Sequence, residues 1–160
     1  NGILNALRTL AVGILFALSI SIVLSLFYPD LVLTPELLTR TTVGLDGLAL
    51  ALASGAAAAL SITTGVSSVL VGVMVAVALL PPTVTLGICL GIGAYPEAKG
   101  AALLLIANIA SVNLTAQLTM RLKGIKPREE DHHFTALVIF IVGILFWCAL
   151  IAYLIYSLNQ

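Results

Sequence analysis

Charge is almost missing from this sequence of 160 residues: charged side chains make up 9%, against about 25% in an ordinary soluble domain. Seven basic and seven acidic residues cannot clothe a surface that faces water, which excludes an ordinary soluble fold and makes lipid the main solvent. The formal net charge is +0, so no basic field is present to hold nucleic acid, and no block of like charge forms an interaction tail. Cysteine is equally sparse. Cys89 and Cys148 both lie in apolar runs, without metal-ligand spacing or a paired framework, and read as small buried hydrophobes. No nucleophile, base and acid come together in the sequence. Apart from Asp46, no plausible general base lies near a polar stretch. No enzyme is expected, and no catalytic residue, cofactor or metal is assigned.

What the chain does have is hydrophobic sequence, 61% of it, arranged in runs near the roughly 20 residues a membrane-spanning helix needs. Span A extends from Thr9 to Tyr28. It is too long for a secretory signal peptide and ends in Phe27-Tyr28-Pro29-Asp30, an aromatic interfacial end and turn. Thr34-Pro35-Glu36 then reads as a helix start at the interface, with a capping hydroxyl, a proline at the first helical position and an acid that suits the helix dipole. Span B, Val43 to Ile62, is rich in Ala, Gly and Ser, which points to burial among helices rather than in lipid. After Thr63-Thr64-Gly65 comes span C, Val66 to Ala94, interrupted by Pro81-Pro82. Span D opens at Glu97 and ends at Met120. Span E runs from Phe134 to Tyr156. The fold class is therefore all-α: a polytopic transmembrane bundle of about five spans, one of them broken at Pro81-Pro82, in a single transmembrane domain over residues 1–160.

Four of the seven basic residues, Arg121, Lys123, Lys126 and Arg128, lie in the loop between spans D and E. The positive-inside bias puts that loop in the cytoplasm, and the same four residues are candidates for binding anionic lipid headgroups. Counting back places Arg8 inside and Asp30 and Glu36 outside. Span E has few polar groups and tyrosines at its end, and is the expected lipid-facing helix.

Asp46 is the most informative residue, because a carboxylate in a span is expensive unless it faces a cavity or a partner. Thr42 and Thr39 share its helical face at spacings of four and seven, and Arg40 lies six positions earlier. Two readings stand: an ion or proton site, or an interfacial Asp paired with Arg40. At Pro81-Pro82 the carbonyls of Val77 and Ala78 lose their helical amides where no bulk water can replace them. The half ending at Leu80 would offer carbonyl oxygens to a cation. The half from Pro82-Thr83 would offer amides to an anion, with Thr83 and Thr85 able to join either. The alternative is a structural kink resatisfied by threonine hydroxyls. On span D, Asn108, Ser111, Thr115 and Thr119 form one stripe, and Asn113, Gln117 and Arg121 a nearly opposite one, so the helix is packed on two sides or lines a polar cavity with one. Asn113 and Gln117 are the preferred cavity candidates.

Ser68-x-x-x-Gly72-x-x-x-Ala76 and Gly87-x-x-x-Gly91 suit close helix packing. Gly91-Ile-Gly93 has no surrounding βαβ unit and is no dinucleotide fingerprint. His132-His133 after Glu129-Glu130-Asp131 reads as solvated loop rather than metal site, with Asp131 capping span E.

The stretch Arg40-Thr41-Thr42-Val43-Gly44-Leu45-Asp46-Gly47-Leu48-Ala49, the run Gly72 to Pro82, and Asn108 through Asn113 to Lys123-Gly124-Ile125-Lys126-Pro127-Arg128 resemble the prokaryotic uncharacterised hydrophobic domain family, domain of unknown function 389. The resemblance implies a multi-pass plasma-membrane protein and adds weight to Asp46 and Pro81-Pro82. It supplies no substrate. Members of that family begin with further membrane segments carrying a Ser-Pro-Ile-Met-Gly-Pro-like motif, so the present chain is expected to be part of a longer polypeptide. The resulting expectation is a membrane protein that moves a small solute or ion past Asp46, Thr42, Arg40, the Val77 and Ala78 carbonyls, Pro81, Pro82, Thr83, Asn108, Asn113 and Gln117. The alternative is a non-transporting structural or assembly subunit. Membrane lipid is the expected partner, and five spans barely enclose a path, which suits a homo-oligomer or a larger membrane complex.

Overall fold

The computed structural model describes residues 2–28, 31–65 and 67–124. Five α-helices occupy them, with no strand among the described residues: α1 (Gly2–Leu26), α2 (Pro35–Thr39), α3 (Leu45–Thr63), α4 (Ser68–Gly91) and α5 (Tyr95–Leu122). α1, α3, α4 and α5 are long and apolar enough to cross a membrane, and they are the expected spans A to D. Span E lies outside the described residues, as do Lys126, Arg128, the His132-His133 pair and Cys148.

The helix ends follow local chemistry. Beyond α1, the amides of Phe27 and Tyr28 bond back to the Leu24 and Ser25 carbonyls at 3.2 and 3.0 Å. Thr34 caps α2 by accepting from the Leu37 amide at 3.4 Å, with Pro35 at the helix start and Glu36 in the first turn. α3 ends where the Thr63 and Thr64 hydroxyls turn back on the Leu60 carbonyl at 2.8 and 2.9 Å. α4 closes in a Schellman turn: the Ala94 amide reaches the Cys89 carbonyl at 2.8 Å and the Gly93 amide the Leu90 carbonyl at 3.3 Å. Gly93 takes φ +76°, a left-handed conformation that a side chain would penalise. That turn explains Gly93 without any nucleotide.

The helices divide into two compact units, each with its own packing. The first comprises the chain to Thr42, α4 from Leu79 and α5 to Leu105. In it Gly87 and Gly91, one turn apart on α4, accept Ser21 and Ser25, one turn apart on α1. A Cβ at Gly87 would lie 2.5 Å from the Ser21 Cβ and 2.9 Å from the Leu18 carbonyl oxygen, and one at Gly91 would overlap the Ser25 hydroxyl. Both serines are buried; their hydroxyls bond within α1, to the Ala17 and Ile22 carbonyls at 2.7 and 2.8 Å, so nothing polar is stranded. Cys89, between the two glycines, is fully buried. At the start of α5, a Cβ on Gly100 would overlap the Thr41 carbonyl oxygen.

The second unit comprises α3, α4 through Ala78 and α5 from Ile106. α3 buries Ala51, Ser54, Gly55, Ala58, Ala59 and Ser61, a stripe at helical spacing made wholly of small residues. Backbones approach closely there because lipid gives helices no hydrophobic reason to associate, and contact comes from van der Waals packing and hydrogen bonds. Gly55 sits against α5, where a Cβ would run into the Val112 carbonyl oxygen and the Thr115 hydroxyl. Ser61 donates to the Met74 sulfur of α4 at 3.8 Å. The Ser68-x-x-x-Gly72-x-x-x-Ala76 pattern packs differently from its expectation. Gly72 is exposed, and a Cβ there would meet nothing within 4 Å.

Gly87→Leu and Gly55→Leu should each lower the unfolding midpoint in detergent, overpacking costing about 1–3 kcal/mol or more. Gly72→Leu should stay within roughly 0.5 kcal/mol of the parent. Equal losses at the three positions would show that Gly72 is as closely packed as the others.

Candidate functional site: a proline pair in a membrane span

α4 remains one helix across Pro81 and Pro82, so the interruption is in its hydrogen-bond ladder and not in its path. An α-helical carbonyl accepts from the amide four residues on. Pro81 therefore gives nothing to the Val77 oxygen, and Pro82 nothing to the Ala78 oxygen. The vacancy at Ala78 is filled from α5: Asn108 Nδ2 donates to the Ala78 carbonyl oxygen at 2.8 Å. A carboxamide suits this task because its NH2 end can donate across to a neighbouring backbone while leaving no charge in hydrocarbon.

Threonine does not do it, contrary to the kink reading. Thr83, 1% exposed, sends its hydroxyl to the Leu79 carbonyl at 2.7 Å, and Leu79 still has the Thr83 amide as its ladder partner. Thr85 is equally buried. Continuity of α4 also removes the second helix start anticipated at Pro82-Thr83. The amides beyond the prolines belong to the ladder and are not offered to an anion.

The bond to Ala78 fixes which way the Asn108 amide points. A carbonyl can only accept, so Nδ2 faces Ala78 and the other end of the side chain is Oδ1, a pure acceptor. Asn108 is 5% exposed, and among the described residues its buried Oδ1 has no hydrogen-bond partner. Val77, Ala78 and Asn108 all belong to the second unit. No charged side chain lies on α4, and none on α5 between Lys99 and Arg121.

The two polar stripes of α5 part company. Asn108 and Ser111 are buried and Thr115 half-buried. The Ser111 and Thr115 hydroxyls bond back to the Ala107 and Ser111 carbonyls at 2.9 and 2.8 Å. On the other stripe Asn113 is exposed, and Gln117 and Arg121 are half-buried. The group that bonds the Ala78 carbonyl thus comes from the stripe opposite the preferred one. The signal was in the composition: Ala101, Leu104, Ala107, Ala110 and Ser111, largely small residues, surround Asn108 in the buried part of α5.

Asp46 occupies a different setting. The chain is not helical from Arg40 to Gly44, so Thr39, at the end of α2, and Thr42, an exposed loop residue, do not share a helical face with it. Arg40 is the C-cap of α2, its amide bonded to the Leu37 carbonyl. Asp46 is exposed in the first turn of α3, with Oδ1 folded back over Gly44, the N-cap that offers no side chain of its own. A carboxylate there complements the helix dipole, worth about 0.3–1 kcal/mol. At the other end of the described chain, Arg121 lies in the last turn of α5 and Lys123 is exposed just beyond it.

Comparison with known proteins fits this architecture. Residues 1–114 match the family described as Domain of unknown function (DUF389), which takes in α1 to α4 and α5 past Asn108. An uncharacterized protein of Methanocaldococcus jannaschii is 30% identical over 152 residues, covering 92% of this chain and 46% of the relative. The chain therefore spans about half the length of that relative. No solved structure matches it.

The Asn108–Ala78 bond has a measurable signature. Asn108→Leu strands the Ala78 oxygen and should cost about 1–3 kcal/mol. Pro82→Ala returns the missing amide, so in that background Asn108→Leu should cost less, by at least about 0.6 kcal/mol. A double-mutant cycle in detergent reads the difference, and strict additivity would mean that Asn108 does not answer the proline.

Proposed function

The chain belongs to the family described as domain of unknown function 389, and from that premise we propose that this integral membrane protein moves a small solute or ion across the bilayer, with the α4 interruption as its coordination point. One observation carries the reading. A side-chain acceptor, Asn108 Oδ1, is buried and has no partner among the described residues, beside a helix whose ladder two prolines have opened. Membrane proteins keep such expensive groups where a permeant species uses them. Asn113 and Gln117 offer further neutral polar contacts along α5, and Asp46, exposed at the start of α3, offers charge selection. The membrane is the plasma membrane, with the Arg121–Arg128 loop cytoplasmic and its basic residues on anionic lipid. The working form is a homo-oligomer or a larger membrane complex, and the chemistry is transport rather than catalysis.

A second reading has its own support. Asn108 restores the Ala78 bond without any ligand, as a purely structural kink requires, and the chain covers 46% of its relative. In that reading the small-residue faces serve assembly of a complex.

Flux into phosphatidylethanolamine–phosphatidylglycerol vesicles separates the two. If the protein transports, the reconstituted chain should admit alkali cations or small neutral solutes. Asp46→Asn, Asn113→Ala and Gln117→Ala should reduce or redirect that flux while assembly survives. Loss of assembly, with unchanged flux in the variants that remain intact, would support the subunit reading and end the transport one.

A further inference from the structure

We infer that the α4 interruption takes a monovalent cation, held by the Asn108 Oδ1 and Val77 carbonyl oxygens. The inference rests on the transport reading and narrows it to one charge class.

The argument starts from the two prolines doing different things. Pro82 strips Ala78, and Asn108 answers Ala78 directly. Pro81 strips Val77, the residue before Ala78 and itself 49% exposed, and a simple kink gains nothing from opening a second carbonyl in hydrocarbon. Asn108 then contributes a further oxygen. Its amide is held by Ala78, so Oδ1 cannot rotate to become a donor. Asn108 is 5% exposed, and its Oδ1 lacks a partner among the described residues, a condition native proteins rarely leave without an unseen donor or ion. Both groups are acceptors, so their occupant is electropositive.

Charge type follows from what is around them. An anion would need a basic side chain or a helix start. α4 has no charged residue, α5 has none between Lys99 and Arg121, and α4 runs unbroken past Pro82. Divalent calcium and magnesium rely on carboxylates. Asp46 lies over Gly44 at its own helix start, and among the described residues no three His, Cys, Asp or Glu side chains gather into a metal-binding group. Neutral oxygens alone are the ligand set that holds alkali cations in carbonyl-lined filters.

The test uses the purified chain in dodecyl maltoside, its unfolding midpoint titrated with NaCl and KCl against N-methyl-D-glucamine chloride at constant ionic strength. At least one alkali cation should raise the midpoint saturably, and N-methyl-D-glucamine should not. Pro81→Ala gives Val77 its amide back and should raise the half-saturating concentration about tenfold, as expected for losing one good ligand. The pair Asn108→Leu with Pro82→Ala keeps Ala78 bonded but removes Oδ1, and should abolish the response. A midpoint indifferent to the cation, or the same titration in Pro81→Ala as in the parent, overturns the site and leaves a bridging water as the partner of Oδ1. Cation-specific stabilisation without vesicle flux would retire transport and keep the site. Flux of a neutral solute that ignores alkali cations would retire the site and keep transport.

Discussion

Hydrocarbon offers no hydrogen bonds, so each backbone group that Pro81 and Pro82 deprive of a partner must be answered from within the protein. The bond from Asn108 Nδ2 to the Ala78 oxygen is that answer for one of the two carbonyls, and much of the second unit is arranged consistently with it. α5 has to lie close enough to α4 for a short side chain to reach a backbone oxygen. Small residues around Asn108, among them Ala107, Ala110 and Ser111, allow that approach, and all are buried. The same bond orients the amide and leaves Oδ1 as a buried acceptor. Structure and candidate chemistry thus come from one interaction: the group that repairs the ladder is the group whose oxygen has no partner among the described residues.

Glycine and serine provide the close helix contacts within each unit. In one unit Gly87 and Gly91 receive Ser21 and Ser25; in the other Gly55 receives Thr115 and the Val112 backbone. Hydroxyls at these contacts bond back along their own helices, as Ser21 does to Ala17 and Thr115 to Ser111. They add polar bulk without stranding a donor. Many large apolar side chains are exposed, Phe16, Val23, Leu45 and Val69 among them, while Leu79, Leu104 and Leu105 are buried, as suits helices that meet lipid or other membrane segments. That exposure follows from the solvent, since lipid tails are as apolar as leucine.

Much of this was legible in the sequence, and the limits have physical reasons. Four spans were readable from run length alone, and the Thr34-Pro35-Glu36 start of α2 from capping chemistry, because both depend on local residues. The loss of amides at Val77 and Ala78 was readable too, being a covalent property of proline. What fills the vacancy was not, since Ala78 and Asn108 are thirty positions apart and α5 carries two polar stripes of similar appearance. Helical periodicity misled at Asp46. It assumed a helix continuous from Thr39, whereas the chain leaves helical geometry between Arg40 and Gly44, which detaches Thr39 and Thr42 from the Asp46 face. Gly72 matched the same small-residue pattern as Gly87 yet faces open space, because such a pattern permits contact without specifying a partner.

The central claim is that Asn108 supplies the hydrogen bond that Pro82 withholds from Ala78. Isotope-edited infrared spectroscopy tests it most directly, with the Ala78 carbonyl labelled in the lipid-embedded protein and the Ala76 carbonyl, which keeps its helical amide, labelled as the reference. In the parent the Ala78 band should lie among hydrogen-bonded helical carbonyls. In Asn108→Leu it should move to higher frequency while the Ala76 band stays in place. An Ala78 band that is the same with and without Asn108 would contradict the account, because the carbonyl would then be bonded by something else or never bonded at all.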